Sequence, residues 1–332
     1  MINKKVVLAR RPKGQPVESD FKIVEEEMPS PDDDQVLLAV EHLSIDAFIR
    51  TILDSDEGIH GSMELNTPVI ALGVGRVLDS RFDGLNQGDA VFGPIGAQTH
   101  VIGHGNMYRK LDESHAPARN YLGVLGMTTG LTAYVGMISV AEVAAGDTVV
   151  VSAAAGAVGT VACQLAKIAG ARVVGIAGGP AKTDYLINEI GCDAAIDYKA
   201  GDVAARLKES APDGVNVFFD NVGGELLDTV LDQIAVAARV VICGAISQYN
   251  NRPSVRGPNL YLRLAERNAS MRGFTVDHYA SDFAEMEEKI SSWMKEGKLK
   301  LPEQIEEGIE QFPAALIMLF TGGHIGKLLV AP

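Results

Sequence analysis

The chain has 332 residues, and its 29 basic and 43 acidic side chains leave a formal charge of −14. That length is about twice a usual domain, so two domains with real cores are expected, and the acidic balance argues against nucleic acid or an anionic membrane as partner. An apolar fraction of 47% with 22% charged residues and 35 glycines is that of a Gly-rich globular protein, outside the disordered regime.

The N-terminal apolar run, Val6-Val7-Leu8-Ala9, is too short for the apolar region of a secretory signal. Short β-rich runs at 6–9, 36–40, 69–78 and 90–92, separated by Pro, Gly and Asp clusters, predict a compact, mostly β domain over the first 120 residues. Residues 148–166 carry no charge and have the length of a membrane span. Their content reads otherwise: Val149-Val150-Val151 followed by Ser152-Ala153-Ala154-Ala155-Gly156 is a buried strand feeding a turn and then a helix.

From residue 148 onward, strand candidates at 148–152, 172–176, 194–197, 216–219, 239–243 and 271–276 alternate with amphipathic stretches such as 184–190, 204–209 and 226–234. This is the pattern of βαβ units in a parallel, doubly wound sheet. An acidic helix over 281–296 repeats Phe283, Met286, Ile290 and Trp293 at helical spacing, which assigns Trp293 to the core. The tail, 302–332, reads as a helix and a strand at 327–330 that lacks a partner of its own, so it is expected to return to the first domain.

Three widely spaced cysteines, Cys163, Cys192 and Cys243, form no C-x-x-C pair and no disulfide framework, which fits a reducing, cytoplasmic setting. All three lie after residue 160, and His100 and His104 have no third ligand nearby, so no zinc site is expected and the two histidines are read as surface or packing residues. The turn Ala154-Ala155-Gly156-Ala157-Val158-Gly159 follows a strand and opens a helix, the context in which a dinucleotide pyrophosphate binds. Ala154 stands where the first glycine of that fingerprint belongs, and a tight turn without a ligand is the alternative. At the tip of the second strand, Val174-Gly175-Ile176-Ala177-Gly178-Gly179 offers no carboxylate for a ribose 2′-hydroxyl. Lys182 follows where a cation would pair with a 2′-phosphate, which favours NADPH over NADH; an ordinary solvated helix lysine is the other reading. No tyrosine has a lysine four residues on, and neither G-x-S-x-G nor G-x-x-x-x-G-K-[ST] occurs. Hydride transfer from a bound nicotinamide is the chemistry that remains.

The chain resembles the zinc-independent medium-chain dehydrogenase/reductases, within them the prostaglandin reductase, alkenal/one reductase and curcumin reductase family. The resemblance is carried by Leu43-Ser44-Ile45-Asp46, Gly73-Val74-Gly75-Arg76-Val77, Gly88-Asp89-Ala90-Val91-Phe92-Gly93, Leu122-Gly123-Val124-Leu125-Gly126-Met127 and Gly130-Leu131-Thr132-Ala133-Tyr134. It continues through the Gly156 turn, Phe219-Asp220-Asn221-Val222-Gly223-Gly224, Cys243-Gly244-Ala245-Ile246-Ser247-Gln248-Tyr249-Asn250, Arg272-Gly273-Phe274 and Gly326-Lys327. It implies an α/β protein with a GroES-like, mostly β catalytic domain (1–122 and 301–332) and an inserted Rossmann NADP-binding domain (123–300), dimeric through the last strand of that domain. The family's cofactor contacts fall on Thr132, Gly156, Ala157, Val158, Gly159, Lys182, Tyr198, Asn221, Cys243, Gly244, Ala245, Ile246, Ser247, Tyr249, Phe274, Thr275 and Val276, with Lys182 and Tyr198 on the 2′-phosphate. The implied reaction moves hydride from NADPH to the β-carbon of an α,β-unsaturated ketone or aldehyde, with Tyr249 and the ribose 2′-hydroxyl as donors to the carbonyl oxygen.

The chain departs from the family at Ala47-Phe48-Ile49, at Ala97 in place of an aromatic residue, at the extra residue in Thr128-Thr129 and at His324. These changes suggest an altered pocket, and His324 either hydrogen-bonds the nicotinamide side or faces solvent. Quinone reduction with NADPH and a non-catalytic NADPH-binding role are the competing readings.

Overall fold

In the computed structural model, which describes residues 1–54, 61–114 and 116–332, the chain divides into two units, Met1–Gly123 with Glu303–Pro332, and Val124–Pro302. The first unit starts with β1 (Ile2–Leu8) and β2 (Phe21–Glu27), paired antiparallel. There follow β3 (Gln35–Ser44), β4 (Leu72–Ser80), β5 (Ala90–Pro94), β6 (His100–His104) and β7 (Arg109–Lys110). Val36, Leu38 and Val40 alternate along β3, and all three join Val6, Leu8 and Val91 in one core, as a period of two requires.

The second unit holds β8 (Thr148–Ser152), β9 (Arg172–Ala177), β10 (Ala194–Asp197), β11 (Val215–Asp220), β12 (Ile234–Ile242) and β13 (Ser270–Gly273). They form one parallel sheet in the order β10-β9-β8-β11-β12-β13. Val149, Val150 and Val151 are all fully buried, the mark of a parallel strand covered on both faces. From β8 the chain builds outward to β10 and then returns to place β11 on the other side of β8. The loops leaving the carboxyl ends of β8 and β11 therefore diverge, and that crevice is where doubly wound sheets bind ligands.

Helices Ala157–Ile168, Pro180–Tyr185 continued by Leu186–Ile190, Val203–Ser210 and Gly224–Leu231 connect the strands. The uncharged stretch at 148–166 is thus strand, turn and helix, and no helix among the described residues is long and apolar enough to cross a membrane. Two expected boundaries are corrected. The helix expected over 226–234 stops at Leu231, because Ile234 already begins β12 and is buried in the sheet. The strand expected over 271–276 stops at Gly273, where Thr275 starts a new set of helical turns, Val276–Asp282. In the acidic helix Phe283–Lys295, Met286 and Ile290 are buried, whereas Trp293 is half-buried and stacks on Tyr134 at 6.2 Å between ring centroids.

The tail supplies β14 (Glu303–Glu307), helix Phe312–Thr321 and β15 (Lys327–Ala331). β15 lies antiparallel to β3, with Leu329 opposite Ser44 and Val330 opposite Leu43, and parallel to β14. The strand without a partner thus finds one in the first unit. There Lys327 and Asp46 form an ion pair at 2.7 Å with side chains only 1% and 8% exposed.

Candidate active site

The carboxyl edge of the parallel sheet collects most of the candidate residues. The turn after β8 leads into helix Ala157–Ile168, whose N-cap Gly156 is extended, with no side-chain cap and no acidic residue in the first turn. Its first N–H groups point outward without a side-chain acceptor, as an anion-binding helix terminus requires. The left-handed conformation in this turn is taken by Ala153 (φ 47°) and not by Ala154, which accounts for the tolerated alanine at the first fingerprint position. Gly159 is required by contact: a Cβ there would sit 2.3 Å from the Ala153 carbonyl oxygen and 2.7 Å from the Ala154 Cα. A Gly159→Ala protein is expected to lose NADPH affinity at least about tenfold, since helix and turn must separate by more than a few tenths of an ångström; a dissociation constant unchanged in titration would contradict this.

At the end of β9, Gly178 is covered by Tyr198 and Lys199, whose side-chain carbons would lie 2.8 and 2.9 Å from a Cβ there. The Gly179 N–H donates to the Asp197 carboxylate at 2.7 Å, which faces this carboxylate inward to the turn, and the same oxygen accepts the Lys199 N–H at 2.9 Å. Burial lowers the Lys182 pKa from its ordinary value, and the Lys199 ammonium lowers it further. Neither has a carboxylate ion-pair partner among the described residues. Two lysines, a tyrosine and a pair of glycines thus gather at this strand end, with the Lys199 charge also acting on the Asp197 carboxylate. Lys199 was not singled out in the sequence; the signal was the Tyr-Lys pair closing β10.

The loops after β11 and β12 are stitched together. Asn221 donates its side-chain amide to the Ser152 carbonyl at 2.7 Å, and its carbonyl accepts the Ile246 N–H at 3.1 Å. The Val222 carbonyl accepts from the Ser247 N–H and hydroxyl at 3.2 and 2.6 Å. This loop carries Tyr249, whose hydroxyl oxygen accepts the Ala245 N–H at 3.1 Å, and which also packs over Gly244. Burial raises the Tyr249 pKa, so the phenol keeps its proton at neutral pH. Burial likewise pushes the Cys243 thiol up to about 12, with the Asp220 charge adding to it, so Cys243 is no nucleophile here.

Phe274 leans against Gly136, with ring carbons 3.0 Å from where its Cβ would be, and Thr275 and Val276 begin the turns beyond β13. The extra residue in Thr128-Thr129 is absorbed as a widened helical turn, Met127–Leu131, in which the Leu131 N–H reaches the Gly126 carbonyl at 3.1 Å. The Thr132 hydroxyl then donates to the Met127 carbonyl at 2.7 Å.

In the first unit, His324 is 7% exposed, which removes the solvent-facing alternative. Ile49 and Ala97 are fully buried in the core, so these two departures repack that core, while Ala47 and Phe48 are half-buried. His100 is half-buried and its pKa is lowered by burial, and His104 is exposed beside Phe82. Among the described residues, no three His, Cys, Asp or Glu side chains stand together as a metal site.

Residues 4–111 match the family described as the N-terminal domain of oxidoreductase, and residues 157–292 match the family described as zinc-binding dehydrogenase. The NADPH-dependent curcumin reductase of Escherichia coli (strain K12) is 33% identical over 333 residues, which is 99% of this chain and 96% of that protein. The NADP(+)-dependent 2-alkenal reductase of Nicotiana tabacum is 36% identical over 335 residues, 99% and 97% of the two chains. The crystal structure of CurA from Vibrio vulnificus in complex with NADPH superposes with a TM-score of 0.94 at 32% identity, covering 99% of this chain and 98% of that one. The chain belongs to the medium-chain dehydrogenase/reductases, in the branch of the curcumin, 2-alkenal and prostaglandin reductases.

Proposed function

We propose that this protein reduces the carbon–carbon double bond of α,β-unsaturated ketones and aldehydes at the expense of NADPH. The observation that carries the proposal is the Tyr249 hydroxyl, whose oxygen is occupied by the Ala245 N–H while its own proton is left to donate. NADPH supplies the hydride that adds to the substrate β-carbon. Negative charge then gathers on the carbonyl oxygen of an enolate, a phenol held in place and kept protonated by burial stabilises that charge as it forms, and a proton taken from solvent at the α-carbon completes the reduction. The bare N-terminus of helix Ala157–Ile168, with Gly156, Ala157, Val158 and Gly159, would hold the pyrophosphate, and Lys182, Tyr198 and Lys199 the 2′-phosphate. Thr132, Asn221, the segment from Cys243 to Ser247 and Phe274 to Val276 would surround the nicotinamide half.

The reaction class is tested by mixing the protein and NADPH with an alkenal, a diarylenone and a simple quinone. Oxidation of NADPH by the quinone alone would overturn the proposal in favour of quinone reduction. For the cofactor, Lys182→Ala is expected to weaken NADPH about 10- to 100-fold, the worth of a charge-assisted hydrogen bond, while NADH binding stays unchanged. Lys199→Ala should act in the same direction with a smaller factor, since its side chain is exposed. Equal losses for both cofactors would contradict the phosphate role.

The protein is further proposed to be a cytoplasmic homodimer. β13 closes one edge of the parallel sheet with an exposed strand, and Met271, Tyr261 and Leu262 stand exposed on the same segment of chain, 37%, 58% and 60% accessible. Exposed apolar side chains next to an open strand edge favour pairing with a second copy. A monomeric mass in light scattering at micromolar concentration would refute it.

A further inference from the structure

Asp220 ends β11 with a carboxylate that is fully buried. One oxygen accepts the Ser152 hydroxyl at 2.8 Å, the Val222 N–H at 2.9 Å and the Gly223 N–H at 3.1 Å, and the other accepts the Gly223 N–H at 3.0 Å. The Ser152 oxygen in turn accepts the Asn221 N–H at 2.8 Å. One carboxylate and one hydroxyl therefore fix the turn from Asn221 to Gly223, at the point where the sheet order reverses between β8 and β11. The backbone carbonyls of that turn, at Asn221 and Val222, hold Ile246 and Ser247, and the Asp220 carbonyl accepts the N–H groups of Cys243 and Gly244 at 2.9 and 3.1 Å. Nothing in this chain of contacts reaches a substrate directly. Its far end is the loop that carries the Tyr249 hydroxyl.

We propose that Asp220, with Ser152, is the positioning residue of the reductase site: its buried carboxylate sets the Asn221–Val222 turn from which the Tyr249 loop hangs, and so sets where the phenol points. This rests on the role assigned to Tyr249 above. A buried carboxylate is costly unless its lone pairs are filled, and burial raises the Asp220 pKa even against the Val222, Gly223 and Ser152 donors. Four hydrogen bonds from three groups would be an expensive way to cap helix Gly224–Leu231 alone, because an asparagine or serine there caps a helix as well. The carboxylate is matched to two adjacent N–H groups and a hydroxyl on a neighbouring strand, an arrangement that orients a turn in space.

Asp220→Asn tests this in the full-length protein with crotonaldehyde as substrate. The amide nitrogen would face the Gly223 N–H, donor against donor, and loosen the turn while keeping the side-chain volume. The expected result is a fall in kcat of about 10- to 100-fold, with the NADPH dissociation constant held within about threefold, because the pyrophosphate and 2′-phosphate sites lie on β8 to β10. In a Tyr249→Phe background the same substitution should cost less than about threefold, since the group that it positions is already gone. If Asp220→Asn does not fold, Ser152→Ala replaces it, removing the hydroxyl that donates to Asp220 and accepts the Asn221 N–H while leaving the Val222 and Gly223 bonds in place. A drop of about three- to tenfold that disappears in the Tyr249→Phe background is then expected. Equal losses with and without Tyr249, or a parallel loss of NADPH binding, would reduce Asp220 to a structural residue and overturn the inference. Full kcat for Asp220→Asn beside a crippled Tyr249→Phe would overturn it while sparing the reading of Tyr249; full kcat for Tyr249→Phe would overturn both.

Discussion

Tyr249→Phe is expected to lower kcat about 100-fold or more while leaving the dissociation constant of NADPH nearly unchanged. Removal of one positioned donor from a developing oxyanion costs about 2.7–4 kcal/mol in the transition state, and the ground state loses little because the carbonyl oxygen is still neutral. The substitution also deprives the Ala245 N–H of its acceptor at 3.1 Å. That second effect, a half-buried donor without its partner, costs up to about 1 kcal/mol of loop stability and should appear as a lower denaturation midpoint. The two consequences are separable. Single-turnover measurement of NADPH oxidation with an alkenal reads the first, and unfolding of the free protein reads the second. A variant with full single-turnover rate would remove Tyr249 from the chemistry whatever its stability. A variant that lost NADPH affinity in proportion to its rate would assign the tyrosine to cofactor packing, the role in which its contact with Gly244 alone would place it.

Strands that are buried on both faces were legible because they have to be apolar. β8 appears at the residues expected, 148–152, since a strand covered by helices on both sides reads as an unbroken β-branched or small apolar run. The strands that escaped notice include β2, β7 and β14, and each of these has a physical reason. β14, Glu-Gln-Ile-Glu-Glu, is the edge of the seven-stranded sheet, where charge is favoured over alternation because it discourages pairing with other chains. β2 ends in three glutamates and pairs only with β1. β7 has two residues and no pattern to read. At the candidate site, the turn after β8 and Lys182 could be picked out as candidates from local spacing, because the dinucleotide fingerprint sets residue types at fixed distances along the chain. Asp220 could not be, since its partner Ser152 lies 68 residues away and only the parallel pairing of β11 with β8 brings them together. A lone acid closing the apolar run Val-Asn-Val-Phe-Phe was the available signal. Lys199 was hidden in the same way: its meaning comes from Lys182 and Gly178 across the β9–β10 edge.

Lys327→Ala is expected to destabilise the first unit by about 3–5 kcal/mol, the cost of leaving a buried charge without its partner. The Lys327 ammonium lies 2.7 Å from the Asp46 carboxylate, and their side chains are 1% and 8% exposed. Water cannot replace the lost cation at such burial, and the Ser44 hydroxyl, which also hydrogen-bonds Asp46, neutralises no charge. The location magnifies the effect, because Lys327 begins β15 and Asp46 lies two residues beyond the end of β3, the strand with which β15 pairs. Losing the ion pair therefore weakens the closure of the C-terminal tail onto the N-terminal sheet. Lys4 and Glu310 make a useful control: they too link the N-terminal strand to the tail, at 2.9 Å, but their side chains are 42% and 49% exposed. Solvent screens that pair, so Lys4→Ala should leave stability almost unchanged although the distance is nearly the same. Urea denaturation of both variants decides the matter. If the loss at Lys327 comes from an uncompensated charge, adding Asp46→Asn to Lys327→Ala should recover most of it, because the carboxylate that needed the lysine is gone. If the double variant stays as unstable as the single one, the loss comes from packing of the lysine stem at the start of β15, and the charge pair is not what holds the tail in place.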